Sequence, residues 1–146
     1  MKRNIILLVE DDELDIISVE RSLNRLDTAF ELYSAFNGIE ALNLLKGDAE
    51  LPPISPDIVL LDLNMPKMNG IEFLKAIRKD PALKDLKVFV MTTSGDSSDR
   101  EAVTNLGVLG YLMKPLNFND NRKNVNSMDA FVQFHLGRIL NNSYLN

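Results

Sequence analysis

The stretch Ile58-Val59-Leu60-Leu61-Asp62-Leu63-Asn64-Met65-Pro66 decides the fold. Four apolar residues in succession, with no polar alternation, read as a short strand buried on both faces, the pattern of a central parallel strand. The run ends on a carboxylate, Asp62. The chain then turns, because Pro66 lacks the N–H that a ladder requires and Asn69-Gly70 is turn punctuation. A carboxylate at the carboxyl end of a buried strand lies where open α/β sheets bind their ligands. A strand-end aspartate can equally start a turn or cap a helix, so Asp62 needs the rest of the chain to give it a role.

Working outward, the same form recurs. Asn4 to Val9 is a buried strand that also ends in acid, at Glu10, Asp11 and Asp12. A helix follows from Leu14, with Ile16, Val19, Leu23 and Leu26 at steps of three and four. Phe30 to Ala35 reads as a strand with Phe30, Leu32 and Tyr33 as its packed positions. Asn37-Gly38 breaks the chain before a helix from Ile39 to Lys46 that buries Leu42 and Leu45. Residues 47–56 hold three prolines and a glycine and form a surface loop. After Gly70 a helix buries Ile71, Leu74 and Ile77, with Pro81 just past its end. Val88 to Met91 is another unbroken apolar strand and ends in the hydroxyls Thr92, Thr93 and Ser94. Asp96 to Asp99 supply caps for a helix that buries Ala102, Val103 and Leu106 and stops at Gly107. Gly110 to Met113 is the last strand, ending at Lys114-Pro115. The Asn-rich residues 117–126 are turn-like, and a final helix from Ser127 to Asn141 puts Met128, Phe131, Val132, Leu136, Ile139 and Leu140 on one face.

Strand and helix alternate throughout, which predicts an α/β fold: a doubly wound, five-stranded parallel sheet with helices on both faces. At 146 residues the chain is expected to form one domain over residues 1–146, closed by the C-terminal helix and a short tail, with no output domain. Hydrophobic residues make up 45% and charged residues 25%, ordinary values for a globular protein. There is no cysteine, which excludes disulfides, thiolate metal sites and cysteine nucleophiles. A net charge of -5 argues against nucleic-acid binding through a general basic surface. No apolar run approaches the length of a membrane span, and the N-terminal run is too short for a signal-peptide core, so the expected location is cytoplasmic.

In a doubly wound sheet every parallel strand delivers its last residue to the same edge. Those ends are Glu10 with Asp11 or Asp12, then Asp62, Thr92 and Lys114. Carboxylates that close repel one another and call for a cation. Oxygen ligands without His or Cys indicate a hard ion, and Mg²⁺ suits a few carboxylates with water and phosphate oxygens. Lys114 adds a positive point charge for a phosphoryl oxygen, and Thr92 a hydroxyl donor. A nucleophile, a metal and a charge clamp are the parts needed to transfer a phosphoryl group onto a carboxylate.

Read together, Glu10-Asp11, Asp62, Asn64-Met65-Pro66, Gly70, Thr92, Tyr111 and Lys114-Pro115 resemble the receiver domain of two-component response regulators. The resemblance spans Arg3 to Leu116 and implies a flavodoxin-like sheet of order 2-1-3-4-5, the order for which the chemotaxis receiver is a standard example. It implies Asp62 as phosphoacceptor and Mg²⁺ held at Asp62, by Asp11 directly, by Glu10 through water or from behind the ligands, and by the Asn64 carbonyl. It implies Thr92 and Lys114 on the phosphoryl oxygens, Tyr111 as a switch turning inward behind Thr92, and a cis bond at Lys114-Pro115. The Pro-containing loop before Asp57, the Leu-Asp-Leu-Asn-Met-Pro run and Lys79-Asp80-Pro81-Ala82-Leu83-Lys84-Asp85 are similar to single-domain regulators of cyanobacterial and bacterial phytochrome kinases. That implies a phytochrome-type sensor histidine kinase as partner and a homodimer through the last strand and helix, with the downstream target unknown.

Other readings stand beside these. A small Mg²⁺-dependent phosphohydrolase could use Asp62 as nucleophile, but such enzymes want a second acid two residues on, where this chain has Asn64. A receiver-like module that takes no phosphate would lack part of the acid, hydroxyl and lysine set. Asp12 reads as a helix cap or surface acid before it reads as a ligand. Tyr111 could be an ordinary half-buried strand aromatic, His135 a packed helix residue, and Phe134 a surface residue or a dimer contact.

Overall fold

The computed structural model describes residues 4–24, 29–92 and 97–113. The elements are β1 (Asn4–Val9), α1 (Glu13–Leu23), β2 (Phe30–Ala35), α2 (Gly38–Lys46), β3 (Ile58–Asp62), α3 (Gly70–Lys79), β4 (Val88–Thr92), α4 (Ser97–Asn105) and β5 (Gly110–Met113). The five strands form one parallel sheet in the order β2-β1-β3-β4-β5. This is the architecture expected from the alternation of strand and helix. The expected final helix, and with it His135 and Phe134, lies outside the described residues.

The unbroken apolar runs fill two cores at once because successive side chains point to opposite faces. Ile6 and Leu8 of β1 join Ile58 and Leu60 of β3, Phe89 and Met91 of β4, and Val19 and Leu23 of α1. Leu7 and Val9 join Val59, Leu61, Val88 and Val90 on the other face, under Ala41 and Leu45 of α2, Phe73, Leu74 and Ile77 of α3, and Val103 of α4. All five residues of β3 are buried, as befits the middle strand. β2 pairs only with β1. At this edge Phe30, Leu32 and Tyr33 are therefore half-buried, and only Ala35 is fully packed.

Two turn signals prove to be helix starts. Asn37 and Asn69 each accept a hydrogen bond from a backbone N–H, of Glu40 at 3.0 Å and of Glu72 at 2.9 Å. Glu72 returns a carboxylate to the Asn69 N–H at 3.1 Å, completing a capping box. Helices α2 and α3 consequently begin at Gly38 and Gly70 themselves. The buried stripe of α3 is Phe73, Leu74 and Ile77, with Ile71 half-buried. Phe73 shares the inward face because Gly70, Phe73, Leu74 and Ile77 follow the i, i+3, i+4, i+7 spacing of one helix side.

The opposite end of the sheet is tied by side chains that carry no chemistry. Asp57 exchanges bonds with Ile5: its carboxylate accepts from the Ile5 N–H at 2.8 Å, and its own N–H donates to the Ile5 carbonyl at 2.8 Å. These bonds start the β1–β3 pairing and so set the height at which both strands end.

Candidate functional site

The site begins with register. Val9 of β1 pairs with Leu61 of β3, so the next residues, Glu10 and Asp62, leave neighbouring parallel strands side by side. Glu10 is 0% exposed and Asp62 2%, whereas Asp11, already on the loop, is exposed. Glu10, Asp11 and Asp62 each bring one carboxylate oxygen to within 4.8 Å of the other two. Two oxygens on opposite sides of an octahedral Mg²⁺ stand about 4 Å apart. The cluster thus needs little contraction to share one small, hard cation, and its all-oxygen donor set fits such an ion.

Backbone donors aim these acids. The Asp12 N–H donates to Glu10 Oε2 at 3.2 Å, and the Asn64 N–H to Asp62 Oδ1 at 3.3 Å. The Glu10 N–H donates to the Ala35 carbonyl at 2.9 Å, fixing the end of β1 against β2. Asp12 has a different task. Its Oδ1 accepts from the N–H groups of Leu14 at 2.8 Å and Asp15 at 3.2 Å, which caps α1. The carboxylates that converge with Asp62 belong to Glu10 and Asp11, and that of Asp12 turns to the helix.

The loop after Asp62 is tightly packed. Gly70 donates its N–H to the Leu63 carbonyl at 3.0 Å. A Cβ at Gly70 would lie 2.6 Å from the Asp62 carbonyl oxygen and 2.7 Å from Leu63 Cα. Lys67 adopts φ 62, a left-handed backbone that side chains disfavour. The sequence motif contains Gly70 without its reason, which is the close approach of two backbones. Nothing in the sequence signals that Lys67 is left-handed, since lysine has no preference for that region.

Thr92 closes β4 opposite Met113, and Tyr111 pairs with Val90 within β5. β4 thus runs beside the acid-bearing β3, and β5 lies one strand further out. The side chains of Thr92 and Tyr111, and all of Lys114 and Pro115, lie outside the described residues.

A doubly wound parallel sheet with converging carboxylates at its carboxyl rim defines a flavodoxin-like α/β protein whose acidic edge fits a hard cation. The chain belongs to the response regulator receiver domain family, which it matches over residues 6–126. It is 38% identical over 129 residues to the response regulator Rcp1 of Synechocystis, covering 87% of each protein. The crystal structure of the Mn²⁺-bound form of Rcp1 superposes with a TM-score of 0.78 at 36% identity, over 90% of this chain and 93% of that one. The phosphorylated cyanobacterial phytochrome response regulator RcpA superposes with a TM-score of 0.73 at 36% identity, over 80% and 84% of the two chains. The protein is therefore a receiver domain of two-component signalling, a class phosphorylated on aspartate by histidine kinases. The phosphohydrolase alternative is not favoured. Among the described residues, no helix is long and apolar enough to cross a membrane.

Proposed function

We propose that Asp62 is the residue that takes the phosphoryl group, with Mg²⁺ held by Asp11 and Asp62, by Glu10 through water, and by the Asn64 carbonyl. The observation that carries this reading is the meeting of the Glu10, Asp11 and Asp62 carboxylates at one strand edge. An Asp62 oxygen forms a bond to phosphorus as the P–N bond of the phosphohistidine donor breaks, and the imidazole leaves with the electron pair. Bound Mg²⁺ would supply charge neutralisation for the phosphoryl oxygens. Asn64 orients the Asp62 carboxylate through its N–H. In this reading Thr92 and Lys114 hold the phosphoryl oxygens, and Tyr111 responds to the shift of Thr92. The chain acts as a receiver domain that assists only its own phosphorylation and dephosphorylation, and works in the cytoplasm.

Similarity to the phytochrome response regulator RcpA supports a phytochrome-type histidine kinase as donor, and the same reading takes the last strand and helix as the seam of a homodimer. Incubation with acetyl phosphate and Mg²⁺ tests the central claim. Wild type is expected to gain one acid-stable, base-labile phosphoryl group by intact mass, and Asp62→Asn none; labelling of Asp62→Asn at the wild-type rate removes Asp62 from the role. Transfer from a panel of phosphorylated kinases identifies the donor, and sedimentation with and without acetyl phosphate tests the dimer.

A further inference from the structure

The loop that follows Asp62 is held from outside by a second helix. Gly38, the buried first residue of α2, donates its N–H to the Met68 carbonyl at 3.0 Å. Its backbone is helical, so this position does not need glycine for conformational freedom. It needs glycine for space. A Cβ at residue 38 would lie 2.6 Å from Met68 Cγ, 2.9 Å from Sδ and 3.0 Å from Cβ. Cγ and the sulfur could swing away by rotation about the Cα–Cβ bond, but Met68 Cβ travels with the backbone that Gly38 itself holds, and the swing has to find room beside the loop.

Neither partner has slack to absorb such a push. On the loop side, Lys67 is already left-handed, and Gly70 is pressed against Asp62 and Leu63. On the helix side, Asn37 Oδ1 accepts from the Glu40 N–H at 3.0 Å, and Glu40 Oε1 accepts from the Phe36 N–H at 3.1 Å. The residue before Phe36, Ala35, accepts from Glu10. A continuous series of contacts thus joins the two buried acids the long way round: Glu10 to Ala35, through the α2 cap to Gly38, across to Met68, and back along the loop to Asp62.

We propose that Gly38 is a positioning residue for phosphoryl transfer, its bare backbone fixing where residues 63–69 lie and so how Asn64 and Asp62 present themselves to the phosphoryl donor. This rests on Asp62 being the phosphoacceptor, as read above. The test uses the full chain as wild type, Gly38→Ala, Met68→Ala and the double variant. Labelling by acetyl phosphate is followed at saturating Mg²⁺, and thermal unfolding is recorded for each protein. Gly38→Ala, folded at the assay temperature, is expected to label about tenfold or more slowly, as small misplacements of reacting groups do. Met68→Ala removes Cγ and Sδ, so the double variant is expected to recover to within about threefold of wild type, below half a decade in rate. A purely structural role would make the rate follow stability across all four proteins and leave Gly38→Ala, wherever it is fully folded, labelling at the wild-type rate. Wild-type labelling by Gly38→Ala, or a double variant as slow as Gly38→Ala, overturns the proposal. A wild type that labels at a residue other than Asp62 instead overturns the reading beneath it, which the Asp62→Asn control reveals separately.

Discussion

At the scale of single residues, adjacent acids do unlike work, and the difference is one of direction. Asp11 meets Glu10 and Asp62, whereas Asp12 turns its carboxylate to the first N–H groups of α1. Asp12→Asn keeps a capping oxygen and should leave metal affinity and stability almost unchanged, while Asp12→Ala should cost about 1 kcal/mol in urea denaturation. Asp11→Asn should weaken Mg²⁺ or Mn²⁺ binding by at least tenfold in a calorimetric titration, because one of three charges that converge on the ion is gone. Equal affinity in the Asp11 and Asp12 variants would contradict this division. Gly70 is the other residue-scale constraint. Its missing Cβ is replaced by the Asp62 carbonyl and Leu63 Cα, both backbone atoms that cannot rotate aside. Gly70→Ala should therefore destabilise the fold by about 1–3 kcal/mol, measured in the same way, as overpacking does.

At the scale of elements, one side chain ties the far end of the sheet. Arg78, near the end of α3, donates from Nε to the Leu106 carbonyl at 2.6 Å and from Nη2 to Gly107 at 3.3 Å. Its Nη1 reaches the carbonyls of Lys84 and Leu86, each at 2.8 Å. The α3–β4 and α4–β5 connections are thereby fastened to one guanidinium. Burial pulls the Arg78 pKa down and Asp85 pulls it back up, and a guanidinium remains charged throughout the physiological range. Arg78→Met keeps much of the apolar stem and leaves these carbonyls without their donor. A loss of about 2–4 kcal/mol is expected in urea denaturation. Arg78→Lys should recover only a small part, because an ammonium cannot fork to carbonyls on both connections. Sequence periodicity gave Arg78 no role: its partners are backbone carbonyls, and carbonyls look alike in every sequence.

At the scale of the whole molecule, the charge of the acid pocket is part of the folding balance. Carboxylates crowd together only in the folded chain, so a cation that binds there stabilises the native state by mass action. A hundredfold excess over Kd contributes about 2.7 kcal/mol, or roughly 5–10 °C in Tm for a chain of this size. Adding Mg²⁺ should raise Tm by that much in wild type and by far less in Asp11→Asn, read by calorimetry; an equal rise in both would mean the ion binds elsewhere. The same scale governs switching. A hydrogen bond to a charged group contributes about 1.5–3 kcal/mol, whereas moving a two-state equilibrium from 1:99 to 99:1 takes about 5.5 kcal/mol. In the proposed mechanism the Thr92 hydroxyl alone therefore falls short of the switch, which assigns the rest of the work to Lys114, the loop after Asp62 and the partner.

The sequence by itself determined the sheet and the edge at which its acids gather. Runs such as Ile5 to Val9 and Ile58 to Leu61 are too short for buried helices and are bounded by turn residues, so they read as strands covered on both faces, and parallel strands deliver their ends to one edge. It also carried the family motif, in which Asp62 and Gly70 stand at fixed spacing. Only the tertiary structure decided between Asp11 and Asp12, turned Asn37 and Asn69 from breaks into helix caps, and gave Gly38, Gly70 and Arg78 their purposes. The physical reason is the range of the forces. Hydrophobic periodicity is written in neighbouring residues and can be read locally. The direction of a carboxylate, the approach of two backbones and the choice of a carbonyl partner depend on atoms that only folding brings within a few ångströms.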